Sequence, residues 1–302
     1  MKKRTIFNVM FMLCLVAQEA SAFRLRLKVP TGSDSDESSP YTWIIYAVIA
    51  IAVLVGLYTY LKQFKTVFRH LGSSFKMDAK TTLSSDQQRK VLLGAAYYVQ
   101  DKVYMNSLKT GMTSEEREER LDDAWKIFNN KNAMNVLGEL KVECKKSYFP
   151  QIAEAFKLKN QQDIDKYLND TFVNQSDLLA CSKQIERAFK SIGNLVKLGI
   201  VRNEDDFVRI GDAGWATSRL VYVARMCLES KFINEAEFWQ FVDVADEVAH
   251  QSLTSWEDFG KSYIIGLCLW GASGYEVKHQ VREVNKLLED PKSPWKTFPF
   301  GK

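Results

Sequence analysis

Apolar and polar positions divide the chain into three stretches. Ile6 to Ala17 is a short apolar run behind Lys2, Lys3 and Arg4. Tyr41 to Leu61 is 21 residues without a charge, rich in Ile, Val, Ala and Leu. From about residue 84 onward the apolar positions recur at three- and four-residue steps, the period of a helix with one buried face. No run alternates apolar with polar, so no sheet is expected.

Capping signals place the helices. Ser84-Ser-Asp-Gln87 is a capping box, and a helix of roughly 20 residues is expected behind it through Leu92, Ala95 and Val99. Thr113-Ser-Glu-Glu116 is a second box; its helix turns apolar at Leu121, Trp125 and Phe128. A third helix is expected from about Ala133 to Cys144. Residues 148–170 are less patterned and are punctuated by Pro150. Ser176 is expected to cap a long helix carrying Leu178, Cys181, Ile185, Phe189, Ile192 and Leu195, with Gly199 as its stop. Further helices are expected from Ala213 to Ser230, from Asn234 to near His250, from Ser255 to near Gly271 and from Tyr275 to Leu288. The fold class is therefore all-α, a bundle of about seven to nine helices over 84–290, with short loops that make neighbours antiparallel. The tail 291–302 holds Trp295, Phe298 and Phe300; of docking and a partner motif, docking is favoured.

The stretch Ser255 to Trp270 is dense in rings. Trp256, Phe259, Tyr263, Leu267 and Trp270 lie along one face, and Gly260 and Gly266 allow a close neighbour. It reads mainly as the inner seam of the bundle.

The first two apolar runs read as an address. Residues 1–22 have the basic start, short apolar run and Ala20-Ser-Ala22 of a secretory signal peptide cleaved before Phe23; the alternative is an uncleaved anchor. Residues 23–40 read as a short extracytoplasmic linker. Tyr41–Leu61 is expected to be a single transmembrane helix, since 21 residues at 1.5 Å each span about 31 Å. Lys62, Lys65 and Arg69 follow it, while the nearest charges before it are Asp34, Asp36 and Glu37. The positive-inside rule puts the helical domain in the cytoplasm, behind a juxtamembrane linker over 62–83. The expected location is an inner membrane, with the lipid bilayer as one partner and another protein as a second.

Charge excludes one class of partner. The net charge is +4; residues before 41 carry six bases and four acids, 6 − 4 = +2, which leaves +2 for everything after the span. No concentrated basic field remains for nucleic acid. The five cysteines have no metal-ligand spacing, and no cofactor motif is present. Glu247-Val-Ala-His250 and Glu276-Val-Lys-His279 repeat a pattern used in di-iron bundles, but a whole helix of about 16 residues, some 20 Å or more, separates them. No metal site is expected.

Two segments carry a resemblance. Gly214-Trp-Ala-Thr-Ser-Arg-Leu-Val-Tyr-Val-Ala-Arg225 and Ser255 to Trp270 resemble the bacterial domain-of-unknown-function family 1266. The matching positions are Trp215, Arg219, Ala224 and Arg225, then Ser255, Trp256, Phe259, Gly260, Tyr263, Gly266 and Trp270. Gly94-Ala95 and Leu121…Trp125-x-Ile127 resemble its N-terminal part, so the likeness covers roughly 84–272. Ala216 and Leu267 depart from the charged residues usual there. The resemblance implies a fold and no established activity. It also implies a bacterial source.

The residue with candidate chemistry is Arg219. It shares a face with Trp215 and Tyr222, and a guanidinium there needs partners. Asp212, Glu257 and Asp258 are the expected ones. A fixing ion pair or stacking on rings is the structural reading; an acid/base or anion pocket of Arg219 with Asp212 or Glu257 is the enzymatic one. The favoured function is a tethered interaction or regulatory protein.

Overall fold

The computed structural model describes residues 75–158 and 160–301. The chain divides into two units, Met1–Phe68 and Arg69–Lys302, and the described residues belong to the second. The expected signal peptide, extracytoplasmic linker and membrane span lie outside the described residues, as does 62–74 of the juxtamembrane segment. Among the described residues no helix is long and apolar enough to cross a membrane.

The described part is all-helical, with nine helices of ten residues or more. The one β feature among these residues is an isolated parallel bridge between Lys76 and Tyr104. Residues 75–83 run along the domain: Met105 N donates to Lys76 O at 2.8 Å, and Ser107 Oγ donates to Asp78 at 2.9 Å.

Helix α1 is Ser85–Val91 and is capped by the expected box at Ser84. It does not continue as one long helix. Residues Leu92–Gly94 tighten into a 3-10 turn, α2 covers Ala95–Tyr98, and a second 3-10 turn ends at Asp101. The cause is tertiary. Tyr98 Oη donates to Val91 O (2.8 Å), Trp295 Nε1 to Leu92 O (3.3 Å) and Ser218 Oγ to Leu93 O (2.7 Å). Three consecutive carbonyls accept from side chains, where an uninterrupted helix would use amides four residues on.

Helix α3 (Ser114–Trp125) starts from its box at Thr113, and Asn129 caps α4 (Asn130–Lys145). The weakly patterned region is two helices, α5 (Phe149–Leu158) and α6 (Gln161–Thr171). Pro150 is the second residue of α5, where its missing N–H costs nothing. The long α7 is Gln175–Lys197; its cap is Asn174, and Ser176 donates to that cap. Asn203 caps a seven-residue helix, α8 (Glu204–Ile210), which is too short to show a period. Then come α9 (Ala213–Glu229), α10 (Glu235–Ser252), α11 (Trp256–Leu269) and α12 (Gly274–Glu289), with caps at Asn234, Ser255 and Ser273.

The centre of the domain is α9. Thirteen of its 17 residues are buried, so it has no polar face to offer solvent and must be surrounded. The α1–α2 segment, α4, α10 and α11 surround it. The ring-rich α11 is thus one wall around α9.

The tail docks. Pro294–Thr297 forms one turn, α13, with Trp295 buried against Trp256 at 4.7 Å between ring centroids. Trp256 Nε1 donates to Phe298 O at 2.7 Å. The His250 ring lies on Phe300, its Nδ1 2.8 Å from Asp246 O and its Nε2 2.8 Å from Phe300 O. Beside it, buried Arg89 donates to both carboxylate oxygens of Asp246, at 2.6 and 2.9 Å. That pair joins α1, α10 and the tail.

Cys144, Cys181, Cys227 and Cys268 are free, buried thiols, and burial pushes each up to about 12. The thiolate is the reactive form. These four are therefore expected to resist alkylation in the native protein and to react together on unfolding, measured by labelling mass spectrometry with and without denaturant.

Candidate functional site

The residues that carry the resemblance meet where α9 crosses α11. Gly214 lies so close to α11 that a Cβ on it would be 2.5 Å from Phe259 O and 2.7 Å from Tyr263 N. On the other side of the crossing, a Cβ on Gly266 would collide with Trp215 Cβ. Ser262, fully buried, bridges the two: its Oγ accepts from Gly214 N and donates to Gly211 O, both at 2.9 Å. Gly260 faces the far side of α11, where a Cβ would lie 2.6 Å from Val284 Cγ1. Each glycine is thus a point of close approach, as expected for tight packing.

Trp215 and Arg219 emerge one turn apart from this crossing. The Trp215 ring packs against Tyr97 (5.5 Å) and Tyr263 (5.2 Å). Its Nε1 is buried with no hydrogen-bond partner among the described residues. The Arg219 guanidinium lies 4.2 Å from the Trp270 ring centroid, 5.2 Å from Trp125 and 5.6 Å from Trp215. Three indole faces around one cation are a favourable electrostatic arrangement. Its carboxylate is Glu143 of α4, with Nη1 to Oε2 at 3.2 Å. Burial raises the Glu143 carboxyl from its ordinary value, and Arg219 pulls the other way. Arg219 itself is only 7% exposed, while Trp270 is 45% exposed and the Glu143 side chain 41%.

The carboxylates expected beside Arg219 are placed elsewhere. Asp212 accepts from Ser147 Oγ at 2.9 Å, and burial pushes its carboxyl up to about 6. Glu257 pairs with Lys261 (2.7 Å) on the surface, and Asp258 with Arg209 (3.2 Å). Proximity in sequence or along α11 favours these three. Glu143 escapes that reasoning because it lies 76 residues from Arg219 and looks like any polar position of α4.

Arg225, two turns further along α9, is a separate clamp. It is almost fully buried, and Nη2 donates to Tyr104 O and Lys109 O at 2.5 Å each. Its guanidinium lies 5.0 Å from the Tyr98 ring, and burial lowers its pKa. It fixes the loop that precedes α3. Of the remaining motif residues, Ser255 caps α11 by accepting from Asp258 N, and Trp256 and Phe259 pack on the docked tail.

Arg219→Lys tests the indole cage. The charge survives but the planar group that lies on three rings does not, so a loss of about 1 kcal/mol is expected in urea denaturation.

This is an all-helical domain built around one enclosed helix, whose motif residues make the helix crossing, the cation cage and the loop clamp. Residues 120–300 match the family model described as "Protein of unknown function (DUF1266)", and the chain belongs to that family. The match extends through the docked tail. Neither a curated protein nor a solved structure matches the chain.

Proposed function

We propose that the chain is a membrane-tethered protein of a bacterial inner membrane whose cytoplasmic helical domain binds or regulates a partner and performs no catalysis. The observation that carries the non-catalytic part is the enclosure of Arg219 by Trp125, Trp215, Trp270 and Glu143. A guanidinium held in this way supports the helix crossing and meets no substrate. The tether rests on the uncharged stretch Tyr41–Leu61 and the bases that follow it.

The test is fractionation of the full chain made in a bacterial host. The chain should remain in carbonate-washed membranes, and deletion of Tyr41–Leu61 should release it. Protease should remove the helical domain in inside-out vesicles and spare it in right-side-out ones. A soluble full chain, or the reverse protection, overturns the tether and its orientation. Turnover by the purified protein that is lost in a normally folded Arg219→Ala variant overturns the non-catalytic reading.

A further inference from the structure

Phe300 of the docked tail rests on a histidine whose two ring nitrogens both face acceptors. His250 stands in the last turn of α10. Its Nδ1 is 2.8 Å from Asp246 O and 3.2 Å from Asp246 Oδ1, and its Nε2 is 2.8 Å from Phe300 O. A neutral imidazole carries one N–H and donates to one side only. It can hold Phe300 O by turning a bare Nδ1 onto Asp246, or hold Asp246 by turning a bare Nε2 onto Phe300 O. Either tautomer sets lone pair against lone pair at hydrogen-bond distance. The imidazolium carries two N–H groups and satisfies both sides.

The surroundings favour the charged ring. It lies nearly flat on Phe300, with centroids 4.4 Å apart and planes 20° apart, and an aromatic face attracts a cation. The charged groups beside it come from α10 and α1. Asp246 and Asp243 belong to α10; Arg89, Lys90 and Asp86 belong to α1. Arg89 pairs with Asp246 and Asp86, and Lys90 with Asp86 and Asp243. Three carboxylates against two bases leave one net negative charge. From α11 the neighbours of Phe300 are the rings of Trp256 (4.9 Å) and Phe259 (5.8 Å), which carry no charge. Arg89 Nη1 also approaches Phe300 O, but at 3.5 Å, with its better bond to Asp246 at 2.6 Å. The His250 side chain is 27% exposed, so its proton exchanges with solvent while the helices stay folded.

We propose that His250 is a pH latch on the C-terminal tail. Protonation draws Phe300 onto α10, and loss of the proton loosens residues 298–301 from Trp256 and Phe259. The sign follows from linkage: the docked tail needs the second N–H and the released tail does not, so docking is tight where imidazole is ordinarily protonated, below about pH 6.5, and weakens as pH rises through neutrality. This window lies above the one set by the buried Asp212 carboxyl, which is pushed up to about 6. Release uncovers the rings on which the tail lies, so pH sets how much of this aromatic face is covered. The latch depends on neither the tether nor the non-catalytic reading.

The experiment is hydrogen exchange of the tail amides in the full chain, in non-ionic detergent, with His250→Gln run beside the parent at each pH so that intrinsic exchange rates cancel. Glutamine keeps one uncharged N–H for Phe300 O and does not titrate. The protection of the parent tail relative to the variant tail should fall roughly tenfold between about pH 6.5 and about pH 8.5, the worth of one charge-assisted hydrogen bond. A constant ratio across that range, or a rising one, overturns the latch. A second measurement covers a variant that fails to fold. The chain has three histidines, and selective labelling gives each its own magnetic-resonance titration. Removal of residues 300–302 should move the midpoint of one of them to lower pH. Three unmoved midpoints also overturn the latch.

Discussion

Gly214→Ala is expected to remove about 3 kcal/mol of stability, a value at the upper end for overpacking. The added methyl would lie 2.5 Å from Phe259 O and 2.7 Å from Tyr263 N, both backbone atoms of α11. No rotamer change relieves a clash with backbone, so α9 would have to lift from α11. Lifting also pulls Gly214 N away from Ser262 Oγ and strands buried polar groups, a further cost of about 1–3 kcal/mol. Gly266→Ala drives a methyl into Trp215, which Tyr97 and Tyr263 hold in place, and should be comparable. Gly138 and Gly193 supply the control. Both lie inside helices with nothing within 4 Å of where a methyl would sit, so alanine there should add up to about 1 kcal/mol through helix propensity alone. Urea denaturation of the four variants reads the contrast. Equal, small effects at all four positions would mean that α9 and α11 do not approach this closely.

What the sequence makes legible is local. The boxes at Ser84 and Thr113 and the cap at Asn234 lie within four residues of what they cap, so these helix starts follow from the letters alone. The break after Val91 does not, because two of its causes, Ser218 and Trp295, are more than a hundred residues away. Two neighbouring polar residues compete to cap α7, and the position of the backbone chooses Asn174 over Ser176. At the site, Trp215 and Trp270 beside Arg219 are readable from helical spacing on α9 and from the ring-rich α11, but Trp125, which comes from α3, is not. Its carboxylate is not, since Glu143 comes from a helix whose packing angle no local pattern records. Asp212 shows the opposite error: close in sequence to Arg219, it is turned toward Ser147.

Asp212→Asn is expected to raise stability by about 2 kcal/mol near pH 8 and by little near pH 4. Asp212 stands at the N-terminus of α9, where a carboxylate ordinarily caps the first amides. Here it does not cap: Gly214 N donates to Ser262 Oγ instead, and the Asp212 carboxyl is left with Ser147 in a confined space. Burial outweighs the hydrogen bonds from Ser147 and from the backbone amide of Asp212 itself, so the carboxyl is pushed up to about 6 from 3.8. The folded chain therefore binds this proton more tightly than the unfolded chain does. Stability falls as pH rises from about 4 to about 6 and stays reduced above that window. An amide keeps the oxygen that Ser147 donates to and carries no charge, so the variant should lose that slope. Urea denaturation across the window checks the sign. A variant less stable than the parent at every pH would mean that the anion supports α9, and that the helix end outweighs burial at this position.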